Sequence, residues 1–191
     1  MITREEFDFI KDKYAHCASW AIWSDEDEKP KSNIGDLTIL DPDSNKNLLS
    51  QLNPDVVLLG LNISRGIKIP FANFHDMRPE ATDYKIRFAF RGSPYWGGYM
   101  TDIIKDFEQK ISGEVISYLR KNKPFEEENI QTFRQELIDI GATDPTLIAF
   151  GKITHDILKR NFKKEFKILK VPHYANYTSK ERYREQVKKI W

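Results

Sequence analysis

The stretch Asp55-Val-Val-Leu-Leu-Gly-Leu-Asn62-Ile-Ser-Arg-Gly66 constrains the fold most, because an apolar run ends abruptly in a glycine, a carboxamide and a hydroxyl. A strand buried on both faces of a parallel sheet has this composition, and an open α/β sheet gathers its ligands at the carboxyl ends of such strands. Asn62 is therefore the first candidate functional residue. The competing reading is a strand leaving the core, with Asn62 as an ordinary turn former.

Further apolar runs repeat the theme. Tyr99-Met-Thr-Asp-Ile-Ile-Lys105 reads as a second strand, with a helix as the alternative, Thr146-Leu-Ile-Ala-Phe-Gly151 as a third and Phe166-Lys-Ile-Leu-Lys-Val171 as a fourth. Between them lie helical patterns: Phe125, Ile130, Phe133, Leu137 and Ile140 over 124–141, closed by Gly141, and then Ile153, Ile157, Leu158 and Phe162. Thr3 with Glu6 has the form of a capping box, and Phe7, Ile10, Tyr14, Cys17 or Ala18, and Ala21 extend a helical period over 3–23. A second box, Thr178 with Glu181, opens a final helix to about residue 190. A short helix is expected over 45–52, after the turn Asp41-Pro-Asp-Ser-Asn, and an acidic loop over 24–33. Residues 62–98 are rich in Gly, Pro and aromatics without a sustained period, and read as one long loop. Strands alternating with helices predict a three-layer α/β/α domain over 1–191, around a mostly parallel four-stranded sheet, with 1–44 as an amino-terminal helix and loop extension.

Composition narrows the functional classes. The chain has 191 residues, 40% of them hydrophobic and 31% charged, as expected of a globular domain that buries one substantial core. Cys17 is the only cysteine, which excludes an internal disulfide and every four-cysteine metal site, and suits a reducing cytoplasm. The polar start Met1-Ile-Thr-Arg-Glu-Glu lacks the pattern of a signal peptide, and no apolar run approaches membrane-spanning length, so no membrane partner is expected. The net charge is +1, but residues 152–191 carry +8 and the remainder −7. A basic carboxyl-terminal part is either an electrostatic footprint for phosphates or a pair of solvated helices.

A parallel sheet brings the carboxyl ends of its strands to one edge, so scattered polar residues should converge there. Four groups qualify: Asn62, Thr101-Asp102, Gly151-Lys152 and His173-Tyr-Ala-Asn-Tyr177. The last precedes a capped helix amino terminus, where free N–H groups favour anions. His173 and Asp102 each have a plain structural alternative, as polar residues satisfied by neighbouring loops.

Together these four positions resemble the uracil-DNA glycosylase superfamily. Gly60-Leu-Asn62-Ile-Ser64 is similar to its first motif, Gly-x-Asn-Pro-Gly, without the proline, and His173-Tyr-Ala-Asn176 resembles His-Pro-Ser-Pro with only the histidine retained. Tyr99 to Lys105 resembles the family's middle strand, commonly Thr-Asn-Val-Val-Lys, and Ala149-Phe-Gly-Lys152 its third-strand end. Over roughly residues 45–191, the resemblance implies a protein that binds a flipped or free nucleobase and hydrolyses its N-glycosidic bond without metal or other cofactor. It implies that Asn62 holds the attacking water or backs the sugar, and that His173 stabilises negative charge on the departing base. It makes Gly60, Leu61, Phe74, Asp102 and Asn176 candidate base contacts, and Ser64, Lys152, Thr178, Ser179 and Arg182 candidate contacts to phosphate. The implied partner is DNA, a nucleobase or a nucleoside.

Two departures shape the expected specificity. Ala175 stands where the family has a phosphate-binding serine, leaving that contact to Asn176, Thr178 or Ser179. Asp102 stands where the family reads the base with Asn; an ionised carboxylate only accepts hydrogen bonds, so it repels uracil O4 and suits an edge with two donors, such as N1–H and N2–H2 of guanine. Plain uracil is then not the best ligand. The missing proline and serine also leave room for a non-catalytic base-binding module on the same fold. A metal-dependent hydrolase built from His75-Asp76, with Asp102 or His155-Asp156, is a third reading, without a recognised ligand spacing. Gly151-Lys152 lacks the glycine-rich approach and following hydroxyl of a phosphate loop.

Overall fold

A computed structural model describes residues 1–191. In chain order the elements are α1 (Arg4–Tyr14), β1 (Ser19–Trp20), α2 (Leu48–Gln51), β2 (Asn53–Asn62), α3 (Tyr84–Phe90), β3 (Gly98–Ile104), α4 (Ser112–Lys121), α5 (Lys123–Asp139), β4 (Thr146–Phe150), α6 (Lys152–Phe162), β5 (Lys167–Val171) and α7 (Lys180–Val187), with one-turn 3-10 helices at Leu37–Leu40 and Lys188–Ile190.

The chain has an α/β fold around a five-stranded mixed sheet of order β1-β3-β2-β4-β5. The four strands read from the sequence are mutually parallel. The fifth, β1, runs antiparallel at the edge and pairs Ser19 with Met100 and Trp20 with Tyr99. The sheet is thus five-stranded and mixed, where four strands were expected. The first helix ends at Tyr14, where the expectation carried it to 23, although its predicted capping box is present, with Thr3 N–H to Glu6 at 2.7 Å and Glu6 N–H to Thr3 at 3.2 Å. The helical spacing of Cys17, Ala18 and Ala21 is coincidental: this segment lies along the sheet edge and holds the following long loop.

Alternation along the strands divides the core. Val57, Leu59, Leu61, Tyr99 and Ile103 face a layer containing α1, α4, α5 and α6, through Phe7, Leu119, Phe133 and Phe162 among others. Val56, Leu58, Met100, Ile148 and Phe150 face the opposite layer, α3 and α7, through Ile86, Phe90, Tyr183 and Val187. Helix α3 lies inside the region read as one long loop. Its apolar face, Ile86, Ala89 and Phe90, is interrupted by the buried Lys85 and Arg87. The Arg87 guanidinium donates to the carbonyls of Ser24, Pro30 and Ser32 at 2.8–3.0 Å and so organises the acidic loop around it. Helix α4 fills the stretch before α5 for which the sequence offered no reading.

Parallel order also decides where the basic residues of 152–191 lie. Helix α6 starts at the carboxyl edge of the sheet and descends, so Lys163, Lys164 and Lys167 sit at the far edge, where β5 begins. Lys180 is engaged with Glu26 at 3.2 Å, and Arg184 donates to the Arg91 carbonyl. Five of the twelve basic residues of 152–191 thus lie at the opposite edge or are already engaged.

Candidate functional site

The carboxyl ends of β2, β3, β4 and β5 border a cavity of about 630 Å³. Its lining includes Gly60, Leu61, Asn62, Ser64, Phe74, Asp102, Lys152, His173 and Asn176, so the side chains expected at one edge do share one opening. Thr178, Ser179 and Arg182 do not line it. The helix cap is Ser179, whose hydroxyl accepts from Arg182 N–H at 3.2 Å; this replaces the expected Thr178 cap and commits the Ser179 oxygen to the backbone. Thr178 carries a buried hydroxyl without a partner, and Arg182 is exposed beyond the rim. Ser64 and Asn176 are exposed at the mouth, and Lys152 there pairs with Asp156 in the first turn of α6.

Asn62 ends β2, and its amide nitrogen lies 2.8–3.0 Å from the carbonyls of Ile63, Phe107 and Gln109. Three acceptors around one end of the carboxamide fix which end is nitrogen. Its Oδ1 receives no hydrogen bond from the protein and remains an acceptor for a water or ligand. Asn62 is therefore half structural: it ties the loop after β3 to the end of β2 while presenting one oxygen.

Asp102 is the register neighbour of Gly60 on the adjacent parallel strand. Neighbours in parallel strands project to the same side, and a Cβ at position 60 would lie 2.1 Å from Asp102 Oδ1 and 3.3 Å from Phe74 Cζ. Glycine is required here so that the carboxyl can lean across β2 toward Phe74. Asp102 Oδ2 accepts from Asn73 Nδ2 at 2.9 Å, and Oδ1 has no protein donor. Burial pushes the carboxyl up to about 6, opposed by the Asn73 bond and by Lys105. Thr101, grouped with Asp102 in the sequence, points to the opposite face and belongs to another cluster.

Asn73 and its flanking aromatics show how the long loop is held. Asn73 also donates to Cys17 O at 2.8 Å, Phe71 N–H donates to Ala15 O at 2.8 Å, Ser19 Oγ to Phe71 O at 2.8 Å and Trp23 Nε1 to Phe74 O at 3.2 Å. Phe71 and Phe74 adopt left-handed backbone angles, φ +61 and +63, a conformation costing on the order of 1 kcal/mol for a bulky residue and tolerated only where surroundings enforce it. The result places the Phe74 ring edgewise to Tyr174, at 6.4 Å, and against Phe150, at 6.1 Å. Phe74 is thus both core and cavity wall.

His173 follows β5. The Ala175 N–H donates to its Nδ1 at 3.1 Å, so in the neutral ring the proton resides on Nε2. Burial depresses the imidazole pKa, which favours that neutral form. The ring stacks on Tyr174, with centroids 4.5 Å apart and planes at 20°. Gly151, with φ +88, leaves room beside it: a Cβ there would touch His173 Cβ at 3.4 Å. No protein acceptor takes the Nε2 proton, which makes it a fixed neutral donor.

No protein family, curated protein or solved structure matches this chain.

Among the lining residues not singled out from the sequence, Asn73 and Asp83 bear most on the site. Asn73 immediately precedes Phe74, and a buried carboxyl such as Asp102 calls for a donor of this kind. Asp83 precedes α3 and looks like a helix cap, but its side chain makes no capping bond. His75 is buried beside Trp23, and His155 stands next to Asp156 on the other side of the sheet. No group of three or more His, Cys, Asp or Glu side chains is placed to hold a metal ion, and no helix is long and apolar enough to cross a membrane.

Proposed function

We propose that this cavity binds a nucleobase, free or as part of a nucleoside or extruded nucleotide, and that the protein hydrolyses its N-glycosidic bond without metal, in the manner of the uracil-DNA glycosylase superfamily. The observation that carries the reading is the convergence of an unpaired acceptor, Asn62 Oδ1, a neutral donor, His173 Nε2–H, and a buried carboxyl, Asp102, on one aromatic-walled cavity of about 630 Å³. That volume lies in the ordinary range for small-molecule sites.

Bond cleavage builds positive charge on the sugar and negative charge on the base. The His173 donor strengthens as charge grows on the departing base, and so lowers the barrier more than it favours the ground state. Asn62 Oδ1 accepts from a water and orients its lone pair toward the sugar. A single buried cysteine suits function in the reducing cytoplasm.

Release of abasic sites from duplexes carrying uracil, hypoxanthine, xanthine or alkylated bases, together with release of bases from nucleosides, tests the activity. His173→Ala should lower the rate about 100-fold, the effect of losing a donor worth about 3 kcal/mol. Chelators should leave the rate unchanged. The second reading, a base-binding module without catalysis, draws on the anchoring of the Asn62 nitrogen to three carbonyls. Intact substrates with measurable base binding would establish it and refute turnover.

A further inference from the structure

Asp83 stands outside every motif of the sequence, yet it occupies the junction between the main cavity and a contiguous lobe of about 330 Å³ that contains Arg65 and Lys68. It is 8% exposed, and its Oδ2 accepts the Asp76 N–H at 2.8 Å. Its Oδ1 receives no hydrogen bond from the protein. A residue immediately before a helix ordinarily turns its oxygen toward the helix amino terminus; Asp83 turns its oxygen away and caps nothing.

Neither Asp83 nor Asp102 has an ion-pair partner. The cations that act on them are engaged elsewhere: Arg65 with Asp76 at 2.6 Å and Lys105 with Glu136 at 2.8 Å. Two carboxyls, both more than nine-tenths buried and each with an oxygen lacking a protein donor, line one cavity. Such a pair is costly in its ionised form unless it takes up protons or something that enters the cavity satisfies it.

We propose that Asp83 is a second ligand-reading acid, and that with Asp102 it selects a base whose edge carries several N–H donors, an aminopurine of the guanine type, over a base edged by carbonyls. This inference rests on the base-binding reading above and specifies its ligand. Guanine offers N1–H and two N2 hydrogens, three donors for two carboxylates, while its O6 and N7 are acceptors for the single His173 N–H. Hypoxanthine keeps N1–H and O6 but lacks the amino group. Uracil in a nucleoside has one ring N–H between two carbonyls, each of which a carboxylate repels. Sites built to bond an N–H reject analogues lacking it by factors that reach about 10⁴.

Calorimetric titration of the full chain with guanosine, inosine and uridine at pH 8, where both carboxyls are ionised, tests the assignment. Guanosine should bind at least about tenfold more tightly than inosine, and inosine more tightly than uridine. Asp83→Asn keeps an oxygen for the Asp76 N–H and should fold; it should shrink the guanosine-over-inosine ratio about tenfold or more. Thermal melting of the same samples identifies any variant that is merely unfolded, and Asp83→Ser then replaces it. Uridine binding as tightly as guanosine, or an unchanged ratio in a folded Asp83 variant, would overturn the inference while leaving the base site standing. No binding of any of the three at millimolar concentration would overturn both.

Discussion

Thr101 and Asp102 are adjacent on β3, and their side chains leave the sheet on opposite faces into two buried polar clusters of different design. On the α5 side, Glu136 is fully buried and accepts from Tyr99 Oη at 2.7 Å and Thr101 Oγ1 at 2.9 Å, with the Lys105 ammonium 2.8 Å away. Lys105 also donates to Thr101 and to the Asp102 carbonyl, while Asn129 accepts its N–H. On the α3 side, Asp102 and Asp83 have one protein donor each and no ion-pair partner. The first cluster is closed by its own members, Glu136 Oε2 through its ion pair with Lys105 alone. The second is open toward the cavity. At equal burial, the two clusters differ in pairing: one is satisfied within the fold and the other leaves carboxyl oxygens without a protein donor.

The largest effect should come from breaking the closed cluster. Removing one partner of a buried pair leaves an uncompensated charge, so Lys105→Ala or Glu136→Ala should destabilise by about 3 to 5 kcal/mol in urea unfolding. Burial alone would lower the Lys105 pKa, yet Glu136 beside it holds it above its ordinary value, and that attraction is what the substitution removes. A mild loss at either position would erase the distinction between the two faces.

The open cluster should respond with the opposite sign, and pH reveals it. Burial pushes Asp83 up to about 7, against an ordinary 3.8, with the Asp76 N–H and the Arg65 charge pulling it down and Asp76 and Asp102 raising it further. Between those values the folded protein holds a proton that the unfolded chain has released, so stability is lost as pH rises from about 4 to 7. An asparagine carries no such dependence. The stability of Asp83→Asn relative to the parent should therefore rise by a few kcal/mol from pH 4 to 8, with a smaller rise for Asp102→Asn, whose carboxyl is raised to about 6. Parallel melting curves across that range would contradict unpaired burial of these carboxyls.

Much of this arrangement was legible in the sequence, for a definite reason. The four parallel strands are continuous apolar runs, and their carboxyl ends must share an edge, which is why Asn62, Asp102 and His173, far apart in the chain, line one cavity. Elements whose pattern is broken by buried charge were illegible. Helix α3 hides its period behind Lys85, which donates to Asn176 O, and Arg87, which donates to loop carbonyls. The two-residue β1 has no period to detect, and its pairing partner lies about 80 residues away. Asp83 is illegible because α3 is, and the Thr178–Glu181 spacing imitates, one residue early, the Ser179 cap that forms.

Gly60 is the point at which the open cluster depends on backbone. Gly60→Ala should cost about 1 to 3 kcal/mol, because the new methyl meets Asp102 Oδ1 at 2.1 Å and Phe74 at 3.3 Å. Asp102→Ala in the same chain should recover most of that loss, a coupling that a double-mutant cycle in urea measures. Additive losses would mean that the carboxyl does not lie across β2.

The smallest expected effect belongs to Asn73, the one side chain that donates to Asp102. Asn73→Ala removes a hydrogen bond worth about 1 kcal/mol net and also releases Cys17 O from the loop. Its more telling consequence is electrostatic: the Asn73 bond holds the Asp102 pKa down against burial, so without it the carboxyl should titrate higher. If the ionised form reads the ligand, the affinity for guanosine should then keep rising at a higher pH in Asn73→Ala than in the parent, with the plateau at high pH less affected than the value near neutrality. A titration series from pH 5 to 9 separates this from a loosened loop, which would lower affinity by one factor at every pH.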